Sequence, residues 1–369
     1  MRRASFLSIA SGTAAAAVLR PGSAAFAAER ARRLVPVNVA LENVTRTTVG
    51  LRPYRDAGFV LRAEALGAKT VVHNYGHGGG GMSLSWGCAI IASELALQTE
   101  KRRAAVLGSG VIGLSMARVL QDRGFDVTIY ARDVPPDTTS NKSGAQWSPT
   151  SVFSSTDVTD AFRAQYSRAA ELAYARYQTL LGDAYGVRWI ENYDCRDELA
   201  RAFLDNPALT PIRHLYPAVH QFGPGEHPFP TRYATRFLTM LIEPNRYLRR
   251  LQDDYLERGG RLVVREFHAA ADVSALDEPL IVNCTGLGAA ALFGDPALEP
   301  VRGQLSVLAP QPAVDYITLG PRGYMFPRSD GIVLGGTFEH GATSLLPDEA
   351  TVSRMVANHR TFFSGMRKT

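Results

Sequence analysis

The chain has 369 residues, 46% hydrophobic and 20% charged, which excludes a disordered chain and allows two domains around a sizeable core. Its formal charge is +5, of which Arg2, Arg3 and Arg20 supply three, and no dense Lys/Arg run follows them, so no nucleic-acid partner is expected. Cys88, Cys195 and Cys284 are too few for a disulfide framework and lack metal-ligand spacing; Cys88 and Cys284 lie in apolar segments and read as packing residues, with no metal expected.

Residues 1–27 read as a targeting peptide: paired Arg2 and Arg3, an Ala-rich apolar stretch from Phe6 to Leu19, and Ala25-Phe26-Ala27 as a small-x-small cleavage site. The pair followed by Phe6-Leu7 looks like a twin-arginine signal, although one extra residue separates them and a general secretory signal stays open. The expected localisation is periplasmic or extracellular, after signal removal. No later stretch reaches the roughly 20 uninterrupted apolar residues of a spanning helix, so no membrane span is expected.

Next come Gly50-Leu51-Arg52-Pro53 and then His73-Asn74-Tyr75-Gly76-His77, running into Gly78-Gly79-Gly80-Gly81. The glycine run is no flexible linker, because His73, Tyr75 and Trp86 flank it. Side-chain-free backbone can lie against a flat ring, and a helix from Met82 to Leu97 would aim its positive end the same way. A short polar link, Gln98 to Arg102, follows.

Arg103 to Leu107 is an apolar strand leading into Gly108-Ser109-Gly110-Val111-Ile112-Gly113, with helical spacing from Leu114 to Arg123 and a second strand from Phe125 to Ala131. This context makes G-x-G-x-x-G a dinucleotide fingerprint. Gly108 permits the tight turn, Gly110 lets backbone approach a pyrophosphate, and Gly113 lets the helix sit close to the strand. Asp133, about twenty residues beyond Gly113, suits the ribose hydroxyls; Arg132 beside it would instead prefer a 2′-phosphate, and the pair leaves that open.

Further on, Phe162 to Leu181 is helical in pattern and Val187 to Tyr193 a strand, while Asn192 to Thr235 suits an irregular domain edge. Asn245 to Arg258 is a helix ended by Gly259-Gly260, and Arg261 to Phe267 a strand. Leu280 to Gly286 is a buried strand entering a second glycine turn, and Asp348 to Phe363 a final helix.

The phrases Ile129-Tyr130-Ala131-Arg132-Asp133, Thr138-Thr139-Ser140 and Gly144-Ala145-Gln146-Trp147-Ser148-Pro149 resemble the FAD-binding segment of the D-amino acid oxidase family. So do Val282-Asn283-Cys284-Thr285-Gly286, Arg302-Gly303-Gln304 and Leu334-Gly335-Gly336, and most specifically the His73 to Gly81 loop with Ser85-Trp86-Gly87 behind it. The resemblance covers nearly all of residues 40–365. It implies an α/β fold, a Rossmann-like FAD-binding domain with a mixed-sheet substrate domain, holding FAD through Gly108, Gly110, Val111, Ile112, Gly113, Arg132, Asp133, Thr139, Ser140, Gly144, Ala145, Gln146, Thr285, Gly286 and the run Gly78, Gly79, Gly80, Gly81, Met82, Ser83.

In relatives the Gly-Leu-Arg-Pro strand and the glycine loop come last, whereas here they precede the Rossmann turn, so a circular permutation is expected. It requires the Met82 to Leu97 helix to lie beside the first Rossmann strand, and new ends to open side by side near Arg33 and Thr369. The expected divisions are a permuted segment 34–97; a FAD domain of 104–150 and 246–300, with 348–369 as its C-terminal helix; and a substrate domain of 151–245 and 301–347.

Oxidation of a D-amino acid needs a fixed cation, a donor beside it and an acceptor for the amine. Arg52 supplies the cation, since guanidinium matches a carboxylate bidentately. The resemblance implies Tyr324 as the second carboxylate ligand and the Gly79 carbonyl as the amine acceptor. No side-chain base is evident, and His73 and His77 read as loop-ordering groups. The expected activity is FAD-dependent oxidative deamination of D-amino acids, with O2 as acceptor and peroxide as product; a homodimer is left open. Gly320-Pro321-Arg322-Gly323 is too short for the active-site lid of relatives, which predicts an open pocket with fast product exit. Phe338 stands where relatives specific for acidic substrates carry Arg, favouring neutral or apolar side chains, although Arg322 and Arg328 could restore acidic preference. D-aspartate, glycine or N-methyl amino acid oxidation, a quinone-linked dehydrogenase and a non-catalytic flavoprotein are the alternatives.

Overall fold

The computed structural model describes residues 32–144, 146–156, 158–199 and 202–367. The targeting peptide, Ala145 and Thr369 lie outside them. In chain order the elements are β1 (Val44–Tyr54), β2 (Val60–Leu66), β3 (Lys69–Tyr75), α1 (Gly81–Leu97), β4 (Arg103–Leu107), α2 (Val111–Asp122), β5 (Asp126–Ala131), α3 (Asp160–Gln178), β6 (Val187–Arg196), β7 (His220–Phe222), β8 (Tyr233–Ile242), α4 (Pro244–Glu257), β9 (Arg261–Val264), α5 (Ala270–Ser274), β10 (Leu280–Asn283), α6 (Gly288–Phe293), β11 (Glu299–Leu308), β12 (Tyr316–Gly320), β13 (Gly323–Arg328), β14 (Gly331–Gly335), β15 (Glu339–His340) and α7 (Glu349–Ser364).

Two sheets result, as an α/β fold with a mixed second sheet requires. The first has the order β2-β3-β10-β4-β5-β9 and is parallel except for β2. Its central strands β4 and β10 are continuous apolar runs, the pattern of strands covered on both faces. The second has nine strands, β1-β11-β14-β13-β12-β6-β8-β7 with β15 on β11. Thus β1 belongs to the second sheet while β2 and β3, a few residues later, join the first. The chain crosses between sheets immediately after Arg52, which is why that side chain stands at their junction.

The helix α1 is apolar on nearly all sides. By length and composition the segment Gly78–Leu97 could cross a membrane, but it is packed against α2, α3 and the β2–β3 pair, and a helix hydrophobic all round is one enclosed by protein or lipid. As expected, it shares a core with Ala104 and Val106 of β4. It runs along α2, and β10 occupies the place between β3 and β4.

One correction concerns α7, expected on the FAD-binding sheet. Its Met355, Val356, Phe362 and Phe363 share a core with Leu308, Met325 and Leu334 of the nine-stranded sheet, because the apolar side of the helix matches that face. The strand expected to reach Phe267 ends at Val264, after which Arg265 N–H still donates to the Ala131 carbonyl. Residues 192–235 are more regular than expected, since β6 continues to Arg196 and β7 pairs with β8.

The two ends of the described chain meet. Leu34, Val37 and Val39 lie in the same core as Phe362, Phe363 and Met366, and the Tyr316 hydroxyl donates to the Val35 carbonyl while lying 3.8 Å from Met366 Sδ.

Candidate active site

The loops after parallel strands β3, β10, β4 and β5 leave the same edge of the first sheet, and neighbouring loops that diverge there create a binding crevice. Each glycine of the β4 turn has a different task. Gly108 has φ +103, and a Cβ on it would come within 2.6 Å of the Cys284 carbonyl, so the turn requires glycine. A Cβ on Gly113 would overlap the Gly108 carbonyl; its absence lets α2 settle on the turn. A Cβ on Gly110 would press on Ser140 Oγ at 3.1 Å, a side-chain atom rather than backbone.

Serines lash the turn to the loop after β5: Val111 N–H donates to Ser140 Oγ (3.0 Å), and Ser109 Oγ donates to the Asp133 carbonyl (2.6 Å). Neither α1 nor α2 has a side-chain N-cap, and a Cβ on Gly81 would lie 3.9 Å from Ile112 Cδ1. Two helix N-termini therefore share the crevice, offering uncapped N–H groups to an anion. Arg132 Nη2 pairs with Asp133 (2.8 Å) and Nη1 with Glu266 (3.3 Å). Two carboxylates thus engage the side chain that would otherwise recruit a 2′-phosphate.

The remaining expected cofactor ligands surround this crevice. Thr285 donates through N–H and Oγ1 to Asn283 Oδ1, and Asn283 Nδ2 lies 3.0 Å from His73 Nδ1. A Cβ on Gly286 would touch the Pro53 ring at 3.7 Å. Thr139 and Lys142 lie over Gly50, and Gly144 lies against the rings of Phe326 and Tyr324. Met82 and Ser83 are buried, and their side chains serve packing: Met82 joins the core, and Ser83 Oγ accepts from Ser148 N–H at 2.8 Å. Beside them Gln146 Nε2 is buried without a hydrogen-bond partner among the described residues. An orphaned buried donor and two neighbouring helix N-termini reached through glycine turns fit a dinucleotide diphosphate such as FAD.

In the glycine loop, Gly79 N–H donates to the Ser151 carbonyl (2.8 Å) and Gly80 N–H to the His77 carbonyl (3.0 Å). Gly78, at φ +53, abuts the Tyr54 ring. Gly79 is exposed, and its path to Arg52 runs through Tyr54 and Phe338, whose rings meet edge to face at 6.3 Å. His77 is stacked on Phe59 at 5.1 Å, and burial pushes its pKa down to about 3. His73 is also lowered by burial, against the opposing pull of Glu64. Both rings are interior and order the loop.

The most informative geometry is around Arg52. In the β1–β11 pair Gly50 faces Gly303 and Arg52 faces Val301. The guanidinium folds back over Gly303, where a Cβ would come within 2.6 Å of Cζ. Its Nη1 donates to the Thr337 carbonyl (3.2 Å), and Cζ stands 5.1 Å from the Phe338 ring centre. Among the described residues Arg52 pairs with no carboxylate, whereas Arg55, Arg302 and Arg328 have Asp295, Glu339 and Asp330.

Tyr324 adjoins it, stacked on Phe326 at 4.6 Å. Its hydroxyl lies where a Cβ of Gly335 or Gly336 would be, so both glycines clear space for it. Burial raises the phenol's pKa, and the nearby positive charge of Arg52 opposes that shift. The protonated hydroxyl can accept from the guanidinium and donate onward. A half-buried cation lacking a counter-ion, beside a phenolic donor, is equipped to grip a carboxylate. Gly303 and Thr337 were not foreseen as site residues; a glycine inside strand β11 was the available signal of close approach.

A family model described as FAD dependent oxidoreductase matches residues 8–95 and 103–368. Among curated proteins, the chain is 34% identical over 265 residues to a D-amino-acid oxidase of Rubrobacter xylanophilus, covering 69% of this chain and 75% of that one. It is 32% identical over 286 residues to a D-amino-acid oxidase of Streptomyces coelicolor, covering 71% and 79%. Of solved structures, a glycine oxidase from Geobacillus kaustophilus aligns at TM-score 0.55 and 17% identity, covering 73% and 81%. L-alpha-glycerophosphate oxidase from Mycoplasma pneumoniae with FAD bound aligns at 0.54 and 13%, covering 73% and 80%. These two likenesses concern fold alone.

Proposed function

Because the chain belongs to the DAO family of FAD-dependent oxidoreductases, we propose that it oxidises D-amino acids, neutral and apolar ones preferentially, to 2-oxo acid, ammonia and hydrogen peroxide. The observation that carries this reading is the Arg52 guanidinium, without a carboxylate partner among the described residues and next to the Tyr324 phenol at the junction of the two sheets. Held in the crevice, FAD would supply the two-electron acceptor for a hydride from Cα, with O2 as terminal oxidant. Arg52 binds the substrate carboxylate bidentately, and Tyr324 donates its O–H to one of the same oxygens. The Gly79 carbonyl is the proposed acceptor for the neutral amine. With carboxylate and amine both fixed, Cα is held in one orientation, so alignment does most of the work and no side-chain base is required. The imino product hydrolyses in water.

Side-chain preference follows from Phe338. Its ring lies over Arg52 and presents an apolar surface where an acidic side chain would need a cation. Arg328 is buried against Asp330 and the Ser143 carbonyl, so it is not available as that cation. The β12–β13 turn is tight, with Gly320 facing Gly323, and leaves no room for a lid.

Anaerobic stopped-flow mixing tests the reading. D-alanine should bleach the bound flavin while L-alanine does not, peroxide should form stoichiometrically in air, and product release should be no slower than reduction. Bleaching by L-alanine, or a kcat/KM highest on D-aspartate, overturns it.

We further propose that the order of segments is a circular permutation. Support comes from the meeting of the two ends in one core and from each motif occurring once; permutation is tolerated where ends are neighbours and the cut is exposed. A rearranged chain beginning at Arg103, joined by a short linker from Met366 to Leu34 and ending at Gln98, should fold, bind FAD and keep kcat/KM within about tenfold. An insoluble or flavin-free product from every linker length argues against it.

A further inference from the structure

Behind the Arg52–Tyr324 pair, a cavity of about 200 Å³ opens between α7 and the β12–β13 turn. Arg322, Thr337, Arg354 and Asn358 line it together with the Gly335–Gly336 backbone, and no carboxylate does. Arg322 forms no ion pair among the described residues, and Arg354 Nη2 donates to Thr351 Oγ1 at 2.8 Å. Of the two acids at the start of α7, Asp348 and Glu349, Asp348 has its oxygens engaged by Ala350 N–H, Thr351 N–H and Thr351 Oγ1 and also feels the positive charge of Arg354. By contrast, exposed Arg46, Arg132 and Arg168 each hold a carboxylate. Both guanidinium groups line the one cavity, where an oxyanion could take hydrogen bonds from each.

The cavity is distinct from the substrate site. Met325 and Leu334 point to α7, whereas Phe326 and Val333, packed with Tyr324, point the other way, so cavity and clamp lie on opposite faces of the sheet. They share a wall. The Tyr324 hydroxyl rests against Gly335 and Gly336, the Thr337 carbonyl accepts from Arg52, and His359 Nε2, one residue from Asn358, lies 3.1 Å from the Tyr324 carbonyl. Anything that fixes the wall fixes both clamp residues.

We propose that this cavity is a binding site for a small doubly charged oxyanion, a dicarboxylate or phosphate, held between Arg322 and Arg354 with Asn358 and Thr337 as further donors. Its occupancy orders the strand behind the clamp and lowers KM for the amino acid. A guanidinium pair favours planar or tetrahedral oxyanions that take several hydrogen bonds, and the volume admits only a small ligand.

Calorimetry on the FAD-loaded protein tests this, with inorganic phosphate, succinate and acetate as probes. At low ionic strength at least one dianion should bind with Kd below about 1 mM, and acetate about tenfold more weakly. Whichever of phosphate or succinate binds tighter identifies the source. The double variant Arg322→Gln/Arg354→Gln should lose this binding, while Arg52→Met keeps it. In assays, the tighter dianion should lower KM about fivefold for the wild type and leave the double variant unchanged. Absence of heat with both dianions at about 10 mM, or binding that survives the double variant and vanishes in Arg52→Met, overturns the site. Binding with no change in KM overturns its coupling to the clamp. The binding arms do not depend on the proposed substrate, so failure there is separable from failure of the oxidase reading.

Discussion

Replacing Arg52 with methionine is expected to lower kcat/KM for D-alanine roughly 10³-fold, a loss of about 4 kcal/mol, with little change in flavin spectrum or Tm. The asymmetry follows from its partners. Among the described residues the guanidinium donates to one carbonyl, adjoins one phenol and faces no carboxylate, so removing it strands no buried counter-charge. Methionine fills much of the same space. Arg52→Lys should recover part of the loss, because an ammonium keeps the charge and gives up the planar fork. For comparison, Arg328→Met would leave Asp330 and the Ser143 carbonyl uncompensated, and its effect should fall on stability. Activity of Arg52→Met within about threefold of wild type, or a large drop in its Tm, would remove Arg52 from the substrate site.

Gly303→Ala should cost about 10²-fold in kcat/KM, mainly through KM, while the protein stays folded and FAD-loaded. The added methyl would occupy the position of the Arg52 guanidinium, within 2.6 Å of its Cζ. The group that must give way is the far end of a flexible side chain, so folding is nearly indifferent to the change. Substrate binding is not, because the displaced fork loses its alignment with Tyr324. Gly113→Ala provides the contrast. Its methyl would meet the Gly108 carbonyl, a backbone atom, and the same one-carbon addition should there reduce FAD retention and Tm together. If Gly303→Ala keeps wild-type KM, the guanidinium has another productive position and the close approach has no functional role.

The cofactor crevice was the most legible part of the molecule. Gly108, Gly110 and Gly113 have separate tasks that a six-residue stretch already implies, and the structure gives each a distinct surrounding. Asp133 could be placed by counting along one strand and its helix. Arg132 could not, since its second carboxylate, Glu266, arrives from a segment 134 residues away. The same limit explains α7. Its apolar residues announce a buried face, but only the assembled sheet offers Leu308, Met325 and Leu334 to match it.

What the sequence alone determined is local: strand and helix identity, the glycine turns, and a family resemblance borne by short contiguous motifs. These depend on backbone dihedrals and on periodicities of two or 3.6 residues, which near neighbours settle among themselves. Only the tertiary structure decided that Arg52 has no counter-ion among the described residues, that Gly303 makes room for it, that Arg322 and Arg354 line one cavity, and that Leu34 meets Met366. Charge balance and close approach are properties of whichever segments come together, and a pair such as Arg52 and Tyr324, 272 positions apart in the chain, acquires its chemistry only when two sheets meet.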